Sequence, residues 1–253
     1  MIFWNFDPEL NNGVAARHFA TLDQVFALEG ELITHDPVSR LIRIEREGRR
    51  YYVKCYAGSG KKRSWLGLRQ LLVPPRIRSE WQNLLAFAQW GIPTARLAAY
   101  GIERRWGAFR RGALITEEIR NTTDMAQLVS ENDPRLRDRY WLDSISAQLA
   151  DITRRMHTAR FAHNDLKWRN LLVSNDELPR LFLIDCPWGG FWIEPFLSYR
   201  IIKDLACLDK VAKQNLSRTR HLRFYLDYVQ RQRLSRDDKK RIRKIVRFFE
   251  GRE

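Results

Sequence analysis

Residues 161–186 read FAHNDLKWRNLLVSNDELPRLFLIDC, and no other stretch constrains the chain as strongly. A polar loop runs into the short apolar strand LLV, a turn with Asn175, Asp176 and Pro179 follows, and a second apolar strand, LFLI, ends on Asp185. Two strands joined in this way deliver polar residues to one edge. His163, Asp165 and Asn170 occupy the spacing HxDxxxxN, and Asp185 follows Asn170 by 15 positions. Phosphoryl transfer requires a carboxylate that orients and deprotonates a hydroxyl, and an amide oxygen and second carboxylate that hold Mg²⁺ on nucleotide phosphates. Oxygen ligands of this kind suit Mg²⁺ rather than zinc. His163 reads as a brace for the loop and is assigned no chemistry.

The rest of the chain has α+β character. Residues 40–46, RLIRIER, and 51–56, YYVKCY, alternate across two faces around the turn-like EGRR, which predicts a β-hairpin, with a further strand at 31–35. Helical spacing is expected to dominate after about residue 60. Pro74 and Pro75 precede a helix over 78–90, with Glu80 in its first turn, Leu84, Leu85 and Ala88 on its apolar face, and Gly91 and Pro93 closing it. Residues 113–119, ALITEEI, read as a buried strand running into a polar junction where Asp124 begins a helix. Ile145, Leu149, Ile152 and Met156 mark a helix that ends just before residue 161. The loop GSGKKRSW at 58–65 resembles a fragment of a phosphate-binding P-loop and fails as one, because Cys55 stands where the first glycine belongs and Lys62 where Ser or Thr should follow.

Among 253 residues, 45 Lys and Arg against 30 Asp and Glu leave a net charge of +15, so the favoured partners are anionic. Cys55, Cys186 and Cys207 are scattered, with no CxxC and no His at ligand spacing, which argues against a disulfide framework and a zinc site and suits a reducing cytoplasm. The uncharged stretch from Trp81 to Ala95 is too short and polar to span a bilayer, and the N-terminal MIFWNFDPEL lacks the basic region of a secretory signal, so a cytoplasmic location is expected. Residues 216–253 hold 13 Lys and Arg against 5 Asp and Glu, which is +8 of the total. Ile242, Ile245, Val246 and Phe249 there fall at helical spacing, predicting a basic amphipathic helix over 238–250 that either docks on the protein or lies on an anionic inner membrane. No helix-turn-helix, zinc-finger or RNP pattern accompanies the charge, and nucleic acid ranks last among the partners.

The ordered set of motifs resembles the protein-kinase-like superfamily over about residues 30–210. That resemblance implies a two-lobed fold, with a β-rich N-terminal lobe over 1–118 and a helical C-terminal lobe over 119–253, that uses ATP and Mg²⁺. It implies that Lys54, inside YYVKCY, contacts the α- and β-phosphates, that Glu80 is its ion-pair partner, and that Asp165 is the catalytic aspartate. Asn170 and Asp185 become metal ligands, and Asp204 in IKDLACL becomes the buried brace of the catalytic loop. TEEI at 116–119 resembles the hinge, where the backbone at Glu117 and Ile119 meets adenine. The turn THDPVSR at 34–40 departs from the family pattern by having no glycine, Asp185 is followed by Cys186 and Pro187, and Tyr52 replaces a small residue over adenine. Asp204 follows Asp185 by 19 positions, too few for a long activation loop, so a small acceptor is expected.

Within that superfamily, HNDLKWRNLLV, LFLIDCPWGGFW and YRIIKDLACL look most like the lipopolysaccharide kinase group, which phosphorylates heptose or Kdo sugars of the inner core in Gram-negative bacteria. The resemblance implies an ATP-dependent sugar kinase whose partner is a lipopolysaccharide core sugar or a lipid-linked core oligosaccharide, heptose ahead of Kdo. Lys167 also matches the lysine of Ser/Thr protein kinases that meets the transferred phosphoryl group, so a protein kinase is the alternative. The non-enzymatic alternative is a pseudokinase that binds membrane or nucleic acid through its basic surface. Trp188, Phe191 and Trp192 read either as core or as a stacking platform for an acceptor sugar.

Overall fold

A computed structural model describes residues 1–7, 17–57 and 76–251, so the loop GSGKKRSW and the Pro74–Pro75 pair lie outside the described residues. The chain divides into two units, Met1–Ala86 with Thr94–Ile119, and Phe87–Pro93 with Arg120–Glu253.

The first unit is built on a six-stranded antiparallel sheet of order β1-β5-β6-β4-β3-β2. Its elements are β1 (Ile2–Phe6), α1 (Leu22–Phe26), β2 (Glu31–His35), β3 (Ser39–Arg46), β4 (Arg49–Ala57), α2 (Arg76–Gln89), β5 (Leu97–Arg105) and β6 (Ala108–Glu117). The expected hairpin is β3–β4, with Ile42 opposite Val53 and Ile44 opposite Tyr51. Its two-residue turn places Glu47 at φ 50° and Gly48 at φ 71°, the left-handed pair whose twist matches that of the flanking strands. Period-two alternation buries Ile42, Ile44, Tyr51, Val53 and Cys55 against Phe19, Leu22 and Val25, and turns Lys54 to the other face. Helix α1 is held there by a capping box between Thr21 and Gln24.

Two expectations are corrected in this unit. Strand β5 occupies a region where helical spacing is expected to dominate, and the register shifts at Leu97/Ala99 and Glu103/Arg104 break the alternation that would have revealed it, whereas the strand read at 113–119 is the second half of β6. Helix α2 buries Ile77, Glu80, Trp81, Leu84 and Phe87, while Leu85 and Ala88 face solvent. The buried positions recur every three to four residues through the aromatic side chains, which outweigh the smaller apolar ones in the area they remove from water. Trp81 packs against Tyr100 at a ring separation of 5.3 Å and against Phe3 at 6.1 Å.

The second unit contains α3 (Met125–Ser130), β7 (Thr122–Asp124), α4 (Arg139–Thr158), β8 (Phe161–Ala162), β9 (Leu171–Ser174), β10 (Leu181–Leu183), β11 (Gly190–Phe191), α5 (Phe196–Asn215), α6 (Arg218–Val229) and α7 (Arg236–Val246). The expected strand pair in 161–186 is β9–β10, with Leu172 opposite Phe182. Asp124 caps α3 by accepting from the Gln127 N–H, and Asp138 caps α4. The C-terminal helix α7 has a Ser235/Asp238 capping box, and its apolar side joins a cluster with Leu205, Tyr225 and Tyr228. Ile245 is buried there and Ile242, Phe248 and Phe249 are partly buried, so of the two expected roles the structure shows docking on the protein. No helix among the described residues is long and apolar enough to cross a membrane.

Candidate active site

In the first unit the sheet and α2 bring Lys54 and Glu80 together. The Lys54 ammonium lies 2.9 Å and 3.0 Å from the two Glu80 carboxylate oxygens, and the Tyr56 hydroxyl stands 3.5 Å from one of them. Glu80 is buried, whereas Lys54 keeps 20% of its side chain exposed. A charge-assisted pair of this kind aims the ammonium and leaves it accessible to an anion. At the end of β6, the Glu117 N–H donates to the Arg96 carbonyl and the Glu118 N–H to the Arg50 carbonyl. The Glu117 side chain pairs with Arg49 at 3.3 Å. Tyr52 donates its hydroxyl to Glu118 at 3.2 Å, and burial pushes the Tyr52 phenol pKa up, so it stays a neutral donor.

The glycine-free turn between β2 and β3 has its own device. Asp36 Oδ1 accepts the Val38 and Ser39 N–H groups, both at 2.8 Å, and Oδ2 accepts the Ser39 hydroxyl at 2.6 Å. Those bonds, with Ser39 foremost, hold the Asp36 carboxyl pKa below its ordinary value. The backbone donors that a glycine-rich loop would offer to phosphate are here taken by a carboxylate.

In the second unit the loop between β8 and β9 holds Asp165, Lys167 and Asn170. Lys167 Nζ lies 2.6 Å from Asp165 Oδ1, and Arg169 is 3.6 Å from Oδ2. Asn170 is buried and donates its Nδ2 to the Asp165 carbonyl at 2.9 Å, while its own carbonyl accepts the Ile184 N–H at 3.0 Å. That last bond ties the loop to the segment between β10 and Asp185, which sits at φ 56°. Left-handed backbone at Asp costs about 1 kcal/mol and is tolerated where surrounding contacts over-determine it.

Asp204 on α5 is fully buried, and its carboxylate accepts the His163 N–H at 2.7 Å and the Asn164 N–H at 2.8 Å. His163 is buried and stacked on Phe87 at 6.3 Å, and burial pushes its imidazole pKa down, which keeps it neutral. Sequence reasoning missed Asn164. This residue sits at φ 64°, donates to the Trp188 carbonyl at 2.8 Å, and accepts from Arg200 at 3.3 Å, joining the loop to the segment after Asp185. Its one legible signal was an Asn, the residue that best tolerates left-handed backbone after glycine, beside the aspartate. Gly189 completes the join, because a Cβ there would run into Cys186 Sγ and the Phe161 ring. Trp188 and Phe191 are exposed and Trp192 lies under the Arg200 guanidinium at 4.4 Å, so the first two are not core.

Among the described residues, no cluster of three or more His, Cys, Asp or Glu side chains would hold a metal by itself. A cation at Asn170 and Asp185 would therefore need further oxygens from phosphate, which fits the hard donors these two residues offer.

A family model described as "Lipopolysaccharide kinase (Kdo/WaaP) family" matches residues 24–225. The chain is similar to the lipopolysaccharide core heptose(I) kinase WaaP of Pseudomonas aeruginosa, with 26% identity over 166 residues, covering 61% of this chain and 58% of that protein. It is 26% identical over 146 residues to the protein of the same name from Escherichia coli, covering 56% of this chain and 54% of that one. It is 27% identical over 120 residues to a 3-deoxy-D-manno-octulosonic acid kinase of Actinobacillus succinogenes, covering 45% and 47%. These matches span about half the length of the curated relatives. Among solved structures, the fold matches "WaaP in complex with acyl carrier protein" with a TM-score of 0.74 and 24% identity, over 97% of both chains.

Proposed function

The chain belongs to the lipopolysaccharide kinase (Kdo/WaaP) family, and on that premise we propose that it transfers the γ-phosphoryl group of ATP to a sugar hydroxyl of the lipopolysaccharide inner core. Heptose is the favoured acceptor, since the heptose(I) kinases among its relatives match over more of the chain than the 3-deoxy-D-manno-octulosonic acid kinase does. The observation that carries the reading is the braced loop in which Asp165, Lys167 and Asn170 are bonded to one another. Asp165 orients the acceptor hydroxyl and takes its proton, and Lys167 places positive charge beside that carboxylate, where charge builds up on the moving phosphoryl group. Lys54, aimed by Glu80, neutralises phosphate oxygens, and the backbone at Glu117 and Ile119 meets adenine. Asn170 and Asp185 are the residues that would hold Mg²⁺, whose charge draws the phosphate oxygens into line. An acceptor anchored on lipid places the work at the cytoplasmic face of the inner membrane.

Incubation with γ-labelled ATP and purified inner-core oligosaccharide tests this directly. Label on a heptose, located by mass spectrometry, is expected; label on a Kdo residue would reassign the acceptor, and faster transfer to casein than to any core sugar would replace the reading with a protein kinase. Partnership with an acyl carrier protein, named for the solved WaaP structure, is a further part of the proposal. It is favoured by an apolar cavity of about 300 Å³ in the second unit, walled by Leu149, Leu205, Leu208, Phe224 and Ile242 and suited to an acyl chain. Co-elution with an acylated carrier, lost on Leu149→Trp, checks it.

A further inference from the structure

A concentrated apolar surface in the second unit lies just beyond Asp185. Trp188, Phe191, Ile193, Phe196 and Tyr199 are 52%, 66%, 70%, 60% and 47% exposed, five large apolar side chains within twelve positions. Their exposure is built into the backbone. Pairing of β11 with β8 puts Phe191 opposite Phe161 and fixes the strand from which it projects. Helix α5 then presents Phe196, Tyr199, Arg200 and Lys203 on one face at i, i+3, i+4 and i+7. Contiguous exposed apolar side chains rimmed by polar groups mark contact surfaces.

The charge around this surface selects the partner. Arg160, whose carbonyl accepts the Trp192 N–H, stands exposed beside β11, and Arg200 and Lys203 continue the α5 face. The one carboxylate within the stretch, Glu194, is bonded to the Ser198 hydroxyl at 2.7 Å. Arg160 and Lys203, with Arg200 beside them held on Asn164 and the Trp192 ring, outweigh one engaged carboxylate, and set among aromatic side chains that favour the water–hydrocarbon boundary they match an anionic lipid surface. The basic helix α7 offers charge of the same sign, but its apolar side is committed to the cluster with Tyr225 and Tyr228. Of these two regions, the 188–203 stretch is the one that combines both.

We propose that residues 188–203 form a membrane-contact surface, with Phe191, Ile193 and Phe196 entering the headgroup region of an anionic bilayer and Lys203, with the neighbouring Arg160, facing its phosphates. The kinase reading supplies its purpose, delivery of a lipid-anchored acceptor, but the binding itself requires no turnover.

The test is co-sedimentation of the full chain with vesicles of phosphatidylcholine alone and of a three-to-one mixture with phosphatidylglycerol. Wild type is expected to favour the mixed vesicles, with binding weakened but not abolished by high salt, as mixed apolar and electrostatic contact requires. Ile193→Ser with Phe196→Ser is expected to lower the partition by about tenfold or more while leaving the melting temperature unchanged. Lys203→Glu, which spares the apolar groups, is expected to lower binding to mixed vesicles alone by about fivefold. Wild type remaining in the supernatant with both vesicles would overturn the proposal and point to a protein partner. Undiminished binding by the double variant would overturn it too, as would loss of binding only on replacing Lys240, Arg243, Lys244 and Arg247 of α7 by Gln. Because no phosphorylation is read, failure here is distinct from failure of the kinase reading.

Discussion

The loop that carries Asp165 and the turn between β2 and β3 are both short polar connections, yet they are held in opposite ways. The Asp165 loop is braced from a distance by the buried Asp204, by Asn164 bridging to Trp188, and by Asn170 bonded to both the Asp165 and Ile184 backbone. The β2–β3 turn is closed from within by the exposed Asp36, which takes two of its own backbone N–H groups. The proton-handling role proposed for Asp165 would require positioning within a fraction of an ångström, which buried partners supply. A phosphate cover would need open donors, whereas this turn has two of its N–H groups on its own carboxylate.

The sharpest way to break the comparison is Asp165→Ala, expected to lower turnover by about 10² to 10⁴ with the fold intact. Near-normal transfer in that variant would remove the base assignment and leave the braced loop without a chemical reason. Asp204→Asn keeps the shape but loses the charge that accepts two N–H groups, and is expected to cost about 2 to 4 kcal/mol in denaturant unfolding, since buried charge-assisted bonds are the strong ones. A loss below about 0.5 kcal/mol, the range of ordinary surface changes, would show that the loop does not need this brace.

A third prediction extends the contrast between buried and exposed carboxylates to α7. Asp238 is buried, accepts from Ser235, Arg231 and Tyr225, and has its pKa lowered to about 2, with the Ser235 hydroxyl the foremost cause. A folded-state pKa below the unfolded value contributes stability that is present above about pH 4 and is lost as pH falls toward about 2. Thermal melts across that window are expected to lose about 2 kcal/mol, and Asp238→Asn is expected to flatten that part of the profile. An unchanged profile would show that Asp238 does not hold the helix.

The smallest effect is expected at the turn itself. Asp36→Gly releases the Val38 and Ser39 amides and removes a negative charge, and is expected to lower the KM for ATP by about two- to fivefold. A rise in KM would mean that the turn's shape matters more than its open donors, and the contrast with the Asp165 loop would narrow.

Particular residues show how far the sequence could be read. The HxDxxxxN spacing, the LFLI strand and Asp185 were legible because they are local, and so was the β3–β4 hairpin, whose alternation and Glu47–Gly48 turn lie between Ser39 and Ala57. Lys54 and Glu80 were legible only through the order of motifs, because nothing in either segment alone says that β4 and α2 meet. The buried face of α2 was misread, since Leu85 and Ala88 have the right spacing but the aromatic positions win the burial. Strands β1 and β5 were invisible for a different reason: β1 is an exposed edge, and β5 carries two register shifts.

What the sequence by itself determined is which chemical groups the chain carries, in what order, and with what local periodicity, because those depend on neighbours a few residues apart. Tertiary structure decided which apolar faces are covered and which partners satisfy each backbone group. Asp204 reaches the His163 amide across 41 positions, and α7 turns inward while Phe191 and Phe196 remain in solvent. The physical reason is that burial and hydrogen-bond satisfaction are settled by whatever packs alongside in space, and no spacing within a single segment records that neighbour.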